Sequence, residues 1–224
     1  MKHHHERKPV IPTYVISLRR REDRRKRFIE NNGSKIQFVF CDAFDPKGEG
    51  LTYDGLKEKG FDTNQTWKDP DDGQHLSYGG VGCFISHFRL WQMCASMNEP
   101  IMILEHDALF TKKFTAQETS AILVGAYSIN DPRGATFKSK DYHNNLVDGF
   151  NKVPWVAPEN IPQGLPGHSA YVITPWAAKD IIEKQDRIGW WPNDAIMCRQ
   201  LCEWLYVYKP YFTKTQGIKS TTSK

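Results

Sequence analysis

"IMILEHDALF", Ile101 to Phe110, decides how this chain folds. Four apolar residues run directly into an acid, a histidine and a second acid, and the chain then turns apolar again. A surface loop has no use for Ile101-Met102-Ile103-Leu104. A buried strand does not carry Glu105 and Asp107 without compensation, because an unpaired buried carboxylate costs several kcal/mol, roughly, or stays protonated. The pattern fits a central strand whose last residues face a site. In extended chain, residues two apart share a face, so Glu105 and Asp107 are expected on one side and His106 on the other. Such a pair suits a hard divalent cation, Mn²⁺ or Mg²⁺. The same two acids could also stand as solvated groups at a strand end.

Outward from this stretch, the elements alternate. "TYVISL" (Thr13–Leu18) is a β-branched run that reads as the first strand. "RREDRRKRFIENN" reads as a polar helix stopped at Asn31-Asn32-Gly33. "IQFVFCDAF" (Ile36–Phe44) is a second strand, and strand, helix, strand in this order implies parallel pairing in an open α/β sheet. Residues 46–78 lack periodicity and read as one long irregular segment. "GGVGCFISHFRLWQMCASM" follows as a helix opened by glycines, and it leads into Ile101–Leu104. "AILVGAYS" and "SAYVITP" read as strands, whereas residues 130–153 read as loop. "WAAKDIIEK" is a helix entered through Pro175, "WWPNDAIMCRQLCEW" is a second one entered through Pro192, and "LYVYKPYF" is a closing strand. The Thr/Lys/Ser-rich stretch from residue 213 to 224 is expected to be flexible.

Composition narrows the function. The 224 residues are 39% hydrophobic and 12% aromatic, sufficient for a real core in one α/β domain or two small ones. The net charge of +4 permits phosphate-bearing partners without demanding nucleic acid. Five cysteines have no framework spacing, which implies reduced thiols. No run approaches the roughly 18 apolar residues of a membrane span, and no signal peptide is legible, so a cytoplasmic location is expected. "MKHHHERK" is either native or a tag remnant, and its histidines are set aside.

Three further constellations carry candidate chemistry. "GGVGC" could form a nest of backbone N–H groups for phosphate, or its glycines could simply allow close packing. Ser86 and His87 behind it read as a buried hydrogen-bonding pair rather than a catalytic dyad. Asp194, in the first turn after Pro192, is either part of a helix cap with Asn193 or a general base beside Trp190 and Trp191, which would serve as a sugar-stacking platform. Among Arg19 to Arg27, one or two arginines are expected to meet a diphosphate.

Taken together, these segments resemble glycosyltransferase family 25, the family of lipopolysaccharide-core sugar transferases and collagen hydroxylysine galactosyltransferases. The resemblance runs through "YVISLRRREDRRKRF", "FCDAFD", "WKDPDDGQHLSYGGVGCFISHFRLW", "ILEHDA", "GHSAYVIT" and "PNDAIM", in that order. It implies one Rossmann-like GT-A-type α/β domain with a mixed central sheet over residues 13–212, after an N-terminal tail of residues 1–12. It implies an NDP-sugar donor, usually UDP-linked, and transfer with inversion to a hydroxyl of a saccharide or protein. Ser17, Leu18, Arg19 and Arg24 would lie near the nucleotide, Asp42 at its base or ribose, and Glu105 and Asp107 at the metal and diphosphate. Asp194 would be the base, with Trp190, Trp191 and Asn193 on the acceptor side. Mn²⁺ or Mg²⁺ would assist.

The chain departs from that pattern at two positions. His106 stands where the family has the middle Asp of Glu-Asp-Asp, and Gly80 stands where it has a Glu. The family's metal site can also use a later histidine, and here the last is His168, the candidate third ligand. Two other readings follow: a phage-type transferase acting on hydroxymethylated DNA bases, and an inactive nucleotide-sugar or glycan-binding module. Salt-sensitive DNA binding would mark the first, and absence of donor turnover would mark the second.

Overall fold

The computed structural model describes residues 11–61, 77–114, 124–134, 143–153, 165, 167–188 and 193–217. The α/β class and the mixed sheet expected from the sequence are both present. Strands β1 (Thr13–Ser17), β2 (Val39–Asp42), β3 (Ile101–Glu105), β5 (Ala126–Ser128), β6 (Gly149–Lys152), β7 (Ala170–Ile173) and β8 (Leu205–Lys209) form one sheet in the order β2-β1-β3-β7-β5-β8-β6. Its first three strands are parallel. β7 then enters antiparallel between β3 and β5, and β8 runs parallel to β5. A separate two-stranded ribbon joins β4 (Ala108–Phe110) to β9 (Thr213–Thr215).

β3 shows why an unbroken apolar run belongs at the centre of such a sheet. Ile101 and Ile103 enter one core with Phe84, Ile85 and Trp91 of helix α3 (Tyr78–Ser96), and with Ile181 of helix α4 (Pro175–Ile188). Met102 and Leu104 enter the other with Phe28 of helix α1 (Glu22–Asn32), Tyr127 and Phe212. All four β3 side chains are fully buried, each contributing about 1.5–3 kcal/mol. Both faces of the strand are covered, so no polar alternation is tolerated until its last residue.

Five features differ from the sequence reading. β3 stops at Glu105, and His106 and Asp107 form a turn into β4, so strand alternation does not govern them. The irregular segment 46–78 contains helix α2 (Tyr53–Glu58), capped by the Thr52 side chain accepting from Gly55 N–H; residues 62–76 lie outside the described set. The stretch 130–153 contains β6, an edge strand of GFNK composition with little apolar signal. The helix expected through residue 204 is the four-residue α5 (Asn193–Ile196), after which the chain turns. The flexible tail does not begin at residue 213, because Thr213–Thr215 pair with Ala108–Phe110 and Gln216 N–H donates to the Asp107 carbonyl at 2.9 Å.

Candidate functional site

The parallel strands β1, β2 and β3 end on the same edge of the sheet, where open α/β sheets bind ligands. Two pockets open there. The first is walled by the β1–α1 turn (Ser17, Leu18, Arg20), by Phe44 to Lys47 after β2, and by the start of α3. The second is walled by Asp107, by Gly167 to Ser169 before β7, by Asn193 and Asp194 of α5, and by Thr215. Cys83 and Glu105 line both. The end of β3 is therefore a wall that the two pockets share.

Of the glycines that open α3, Gly82 serves packing. A Cβ on Gly82 would sit 2.5 Å from the Phe44 carbonyl oxygen and 2.9 Å from Pro46 Cδ, so only glycine lets the helix approach this wall. The Ser77 side chain caps the helix by accepting from Gly80 N–H at 3.1 Å. Ser86 and His87 do not pair with each other. Ser86 Oγ donates to the Gly82 carbonyl and accepts from Phe44 N–H. His87 is wholly buried, with Nδ1 2.8 Å from the Tyr171 hydroxyl and Nε2 3.2 Å from Glu105 Oε1. Trp91 Nε1–H donates to the same hydroxyl at 2.9 Å.

The acids of the second pocket hold different proton affinities. Burial alone would raise Glu105, but the hydrogen bond and charge of His87 pull it below its ordinary value. Asp107 is pushed up to about 7 by burial and by the charge of Glu105. Its Oδ1 is buried and has no hydrogen-bond partner among the described residues. Asp194 opens onto the cleft, and its carboxyl is also raised, by desolvation and by Glu105. Glu105, Asp107 and Asp194 line one pocket, although among the described residues the three carboxylates are not drawn within 4.8 Å of one another; a divalent cation bound between them would let all three ionise.

The structure brings some of the expected residues together and separates others. Ser17, Leu18 and Glu105 line the first pocket, and the Ser17 hydroxyl is buried without a partner among the described residues. Glu105, Asp107, His168, Asn193 and Asp194 line the second. Arg19 is exposed and lines neither pocket. Arg24 is buried and lines neither pocket itself, but it bonds His106 Nε2, and His106 lines the first pocket. Asp42 is exposed and bonded to Arg25 at 2.5 Å. His168 stacks on Tyr171 with ring centroids 4.2 Å apart, and its Nε2 faces Met197 sulfur at 3.1 Å, while burial lowers its pKa to about 3. Trp190 and Trp191 lie outside the described residues.

Sequence reasoning missed Arg20 and Asp45, which bond each other at 2.5 Å on the wall of the first pocket. It also missed Cys83. The available signal was position: Asp45 follows β2 by three residues, and Cys83 precedes His87 by one helical turn. Among the described residues, no helix is long and apolar enough to cross a membrane.

Comparison with known proteins gives the family. The profile described as "Glycosyltransferase family 25 (LPS biosynthesis protein)" matches residues 10–197. A "Glycosyltransferase 25 family member" of Aedes aegypti is 32% identical over 47% of this chain and 17% of its own length. The "Inactive glycosyltransferase 25 family member 3" of Homo sapiens is 33% identical over 45% and 17%. "Procollagen galactosyltransferase 2" of Mus musculus is 30% identical over 45% and 16%. The matches thus span about a sixth of these relatives. A crystal structure of the galactosyltransferase LgtC with donor and acceptor sugar analogs aligns at TM-score 0.44 and 11% identity, covering 88% of this chain and 73% of that one.

Proposed function

The chain belongs to glycosyltransferase family 25, and from that premise we propose that it moves a sugar from a nucleoside diphosphate to a hydroxyl group across the cleft at the end of β3. The observation that carries the reading is the double exposure of Glu105, which lines both pockets. A transferase needs donor and acceptor to meet at one point, and two pockets sharing one carboxylate supply such a point. In this reading the donor, a UDP-sugar by family resemblance, occupies the pocket of Ser17, Leu18 and Arg20. The Ser17 hydroxyl is free to bond it, and Arg20 and Lys47 bring positive charge to its diphosphate.

The acceptor then enters beside Asp194. Inversion requires one base on the acceptor side and no covalent intermediate. A carboxyl whose proton affinity is raised by partial desolvation at the cleft wall and by Glu105 accepts a hydroxyl proton more readily than an ordinary one. Glu105 and Asp107 would hold Mn²⁺ or Mg²⁺, and the ion would supply positive charge against the departing diphosphate. His168 could join them only through Nδ1, which is buried without a partner among the described residues, since its Nε2 is turned to Met197. The acceptor proposed is a saccharide or protein hydroxyl.

Titration calorimetry of UDP-sugars, with and without Mn²⁺, tests the donor half, and product formation with a panel of glycan and hydroxylysine acceptors tests transfer. Binding that Mn²⁺ strengthens, followed by turnover, supports the reading. Donor binding with no turnover would make the chain a binding module; the human relative is named inactive.

A further inference from the structure

Glu105 is met from the helix side by two side chains that the donor and acceptor reading leaves unused. Cys83 and His87 are four residues apart on α3, so they project from one face of it. Cys83 Sγ lies 3.8 Å from Glu105 Oε1, and His87 Nε2 lies 3.2 Å from the same oxygen. The three ligand atoms are all within 4.8 Å of one another. We propose that Cys83, His87 and Glu105 form a binding site for a thiophilic divalent cation, with zinc the best chemical fit, whose remaining position opens to the cleft.

The dimensions suit that ion. Zinc binds thiolate sulfur at about 2.3 Å and imidazole nitrogen or carboxylate oxygen at about 2.0–2.2 Å, so neighbouring corners of its tetrahedron stand roughly 3.3–3.7 Å apart. The two measured separations bracket this range. Three protein ligands and an open fourth position is the arrangement of reactive rather than purely structural zinc. Cys83 lines both pockets, so the open corner faces space that a ligand or water can reach.

The surroundings of His87 also match a metal ligand. A ligating imidazole uses one nitrogen for the metal and donates from the other to a fixed acceptor. Here Nδ1 is 2.8 Å from the Tyr171 hydroxyl, whose position is held in turn by Trp91 Nε1–H. The ring stacks on Tyr171 at an interplanar angle of 16°. Tyr171 is itself fully buried on β7, so the ring cannot swing away from Glu105.

Charge balance sets the condition for loading. Without a cation Cys83 is a thiol, because burial and the charges of Glu105 and Asp194 oppose its ionisation. Coordination removes that proton to solvent, and a bound cation reverses the local preference. Loading therefore converts Cys–SH and free M²⁺ into Cys–S–M⁺ and one released H⁺, with no oxidation. A thiolate in the set selects zinc or cobalt over Mn²⁺ or Mg²⁺, which prefer the oxygens of Asp107 and Asp194. The two sets share Glu105, and the site stands whether or not the chain transfers sugar.

The experiment is a cobalt titration of the metal-stripped, reduced full chain with His3, His4 and His5 replaced by alanine. One equivalent of Co²⁺ is expected to produce thiolate-to-cobalt charge-transfer absorption that Zn²⁺ erases and excess Mn²⁺ does not. Cys83→Ser and Cys83→Ala should abolish the band, and His87→Gln should weaken Zn²⁺ binding at least about ten-fold. Asp107→Asn should leave the band in place. Independently of any variant, Zn²⁺ should protect Cys83 from alkylation, as read by peptide mapping. Absence of the band, its survival in a folded Cys83 variant, or alkylation of Cys83 unaffected by Zn²⁺ would overturn the assignment.

Discussion

Asn32 and Phe110 are joined across the molecule: the Asn32 carboxamide oxygen accepts from Phe110 N–H at 2.8 Å, and its nitrogen donates to the Ala108 carbonyl at 3.1 Å. A wholly buried side chain at the end of α1 thus does for β4 what a neighbouring strand would do. The β3–β4 turn that carries His106 and Asp107 is anchored through this pair and through the pairing of β4 with β9.

Asn32→Ala should therefore destabilise the protein by roughly 2–5 kcal/mol, because it strands the buried Phe110 N–H and removes the bond to the Ala108 carbonyl. Urea denaturation measures it. Loss of Mn²⁺-dependent donor binding should accompany partial destabilisation, since the turn presenting Asp107 loosens. A change within about 0.5 kcal/mol would mean that β9 alone holds the turn.

Gly82→Ala puts a methyl group against the Phe44 carbonyl and Pro46. Backbone must move, at a cost of about 1–3 kcal/mol, and the moving backbone is a wall of the first pocket. Donor affinity should fall by more than the stability loss explains, with the Mn²⁺ response retained. Calorimetry with an unaltered donor affinity would exclude this pocket as the donor site.

Asp107→Ala should remove the Mn²⁺ enhancement of donor binding and leave the fold intact. Its Oδ1 makes no hydrogen bond among the described residues that truncation would break, and burial without a partner already works against its ionised form. The check is the ratio of donor affinities with and without Mn²⁺, expected near one in the variant. A preserved ratio would assign the ion to other oxygens.

How much of this was readable in advance depends on where the signal lies in the chain. Ile101–Leu104 announced a strand buried on both faces because four apolar residues followed by an acid allow little else. β1 was legible for the same reason, β2 from its apolar run although it is half-exposed at the sheet edge, and their parallel pairing followed from the helix between them. β6 was not, because an edge strand of Gly149-Phe150-Asn151-Lys152 buries little and alternates weakly. β9 was not, because Thr213-Lys214-Thr215 owes its strand to β4, over a hundred residues earlier.

The site divides in the same manner. Glu105 and Asp194 could be picked out as acids at element ends, and they line a common pocket. His106 was expected on the face opposite the pair; it contacts Arg24 of α1 yet lines the first pocket together with Glu105, because a turn rather than strand alternation places it. Arg24 is exchanged for Arg20 at the pocket because helical phase buries position 24 and leaves position 20 in the preceding turn. The meeting of Cys83, His87 and Glu105 depends on the angle at which α3 crosses β3, which no local pattern encodes.

The pH profile of transfer tests the base separately. The raised Asp194 carboxyl holds its proton to higher pH than a free aspartate, whose ordinary value is 3.8. Its basic form is lost as pH falls through that raised value, so the rate should drop on the acid side at a pH above the ordinary carboxylate range. For stability the sign is opposite. The folded state keeps the proton longer than the unfolded chain, so this group's contribution to stability declines as pH rises above 3.8. Asp194→Asn removes that ionisation and should be at least as stable as the parent at pH 8.

Asp194→Asn is also the most direct measurement of the central claim, that sugar passes from donor to acceptor across Glu105 with Asp194 as base. Donor affinity by calorimetry and transfer rate at saturating donor are measured together on parent and variant. The account predicts donor affinity unchanged within about two-fold and a transfer rate lowered roughly a hundred-fold to ten-thousand-fold. A folded variant that binds donor normally and transfers at close to the parental rate would contradict it.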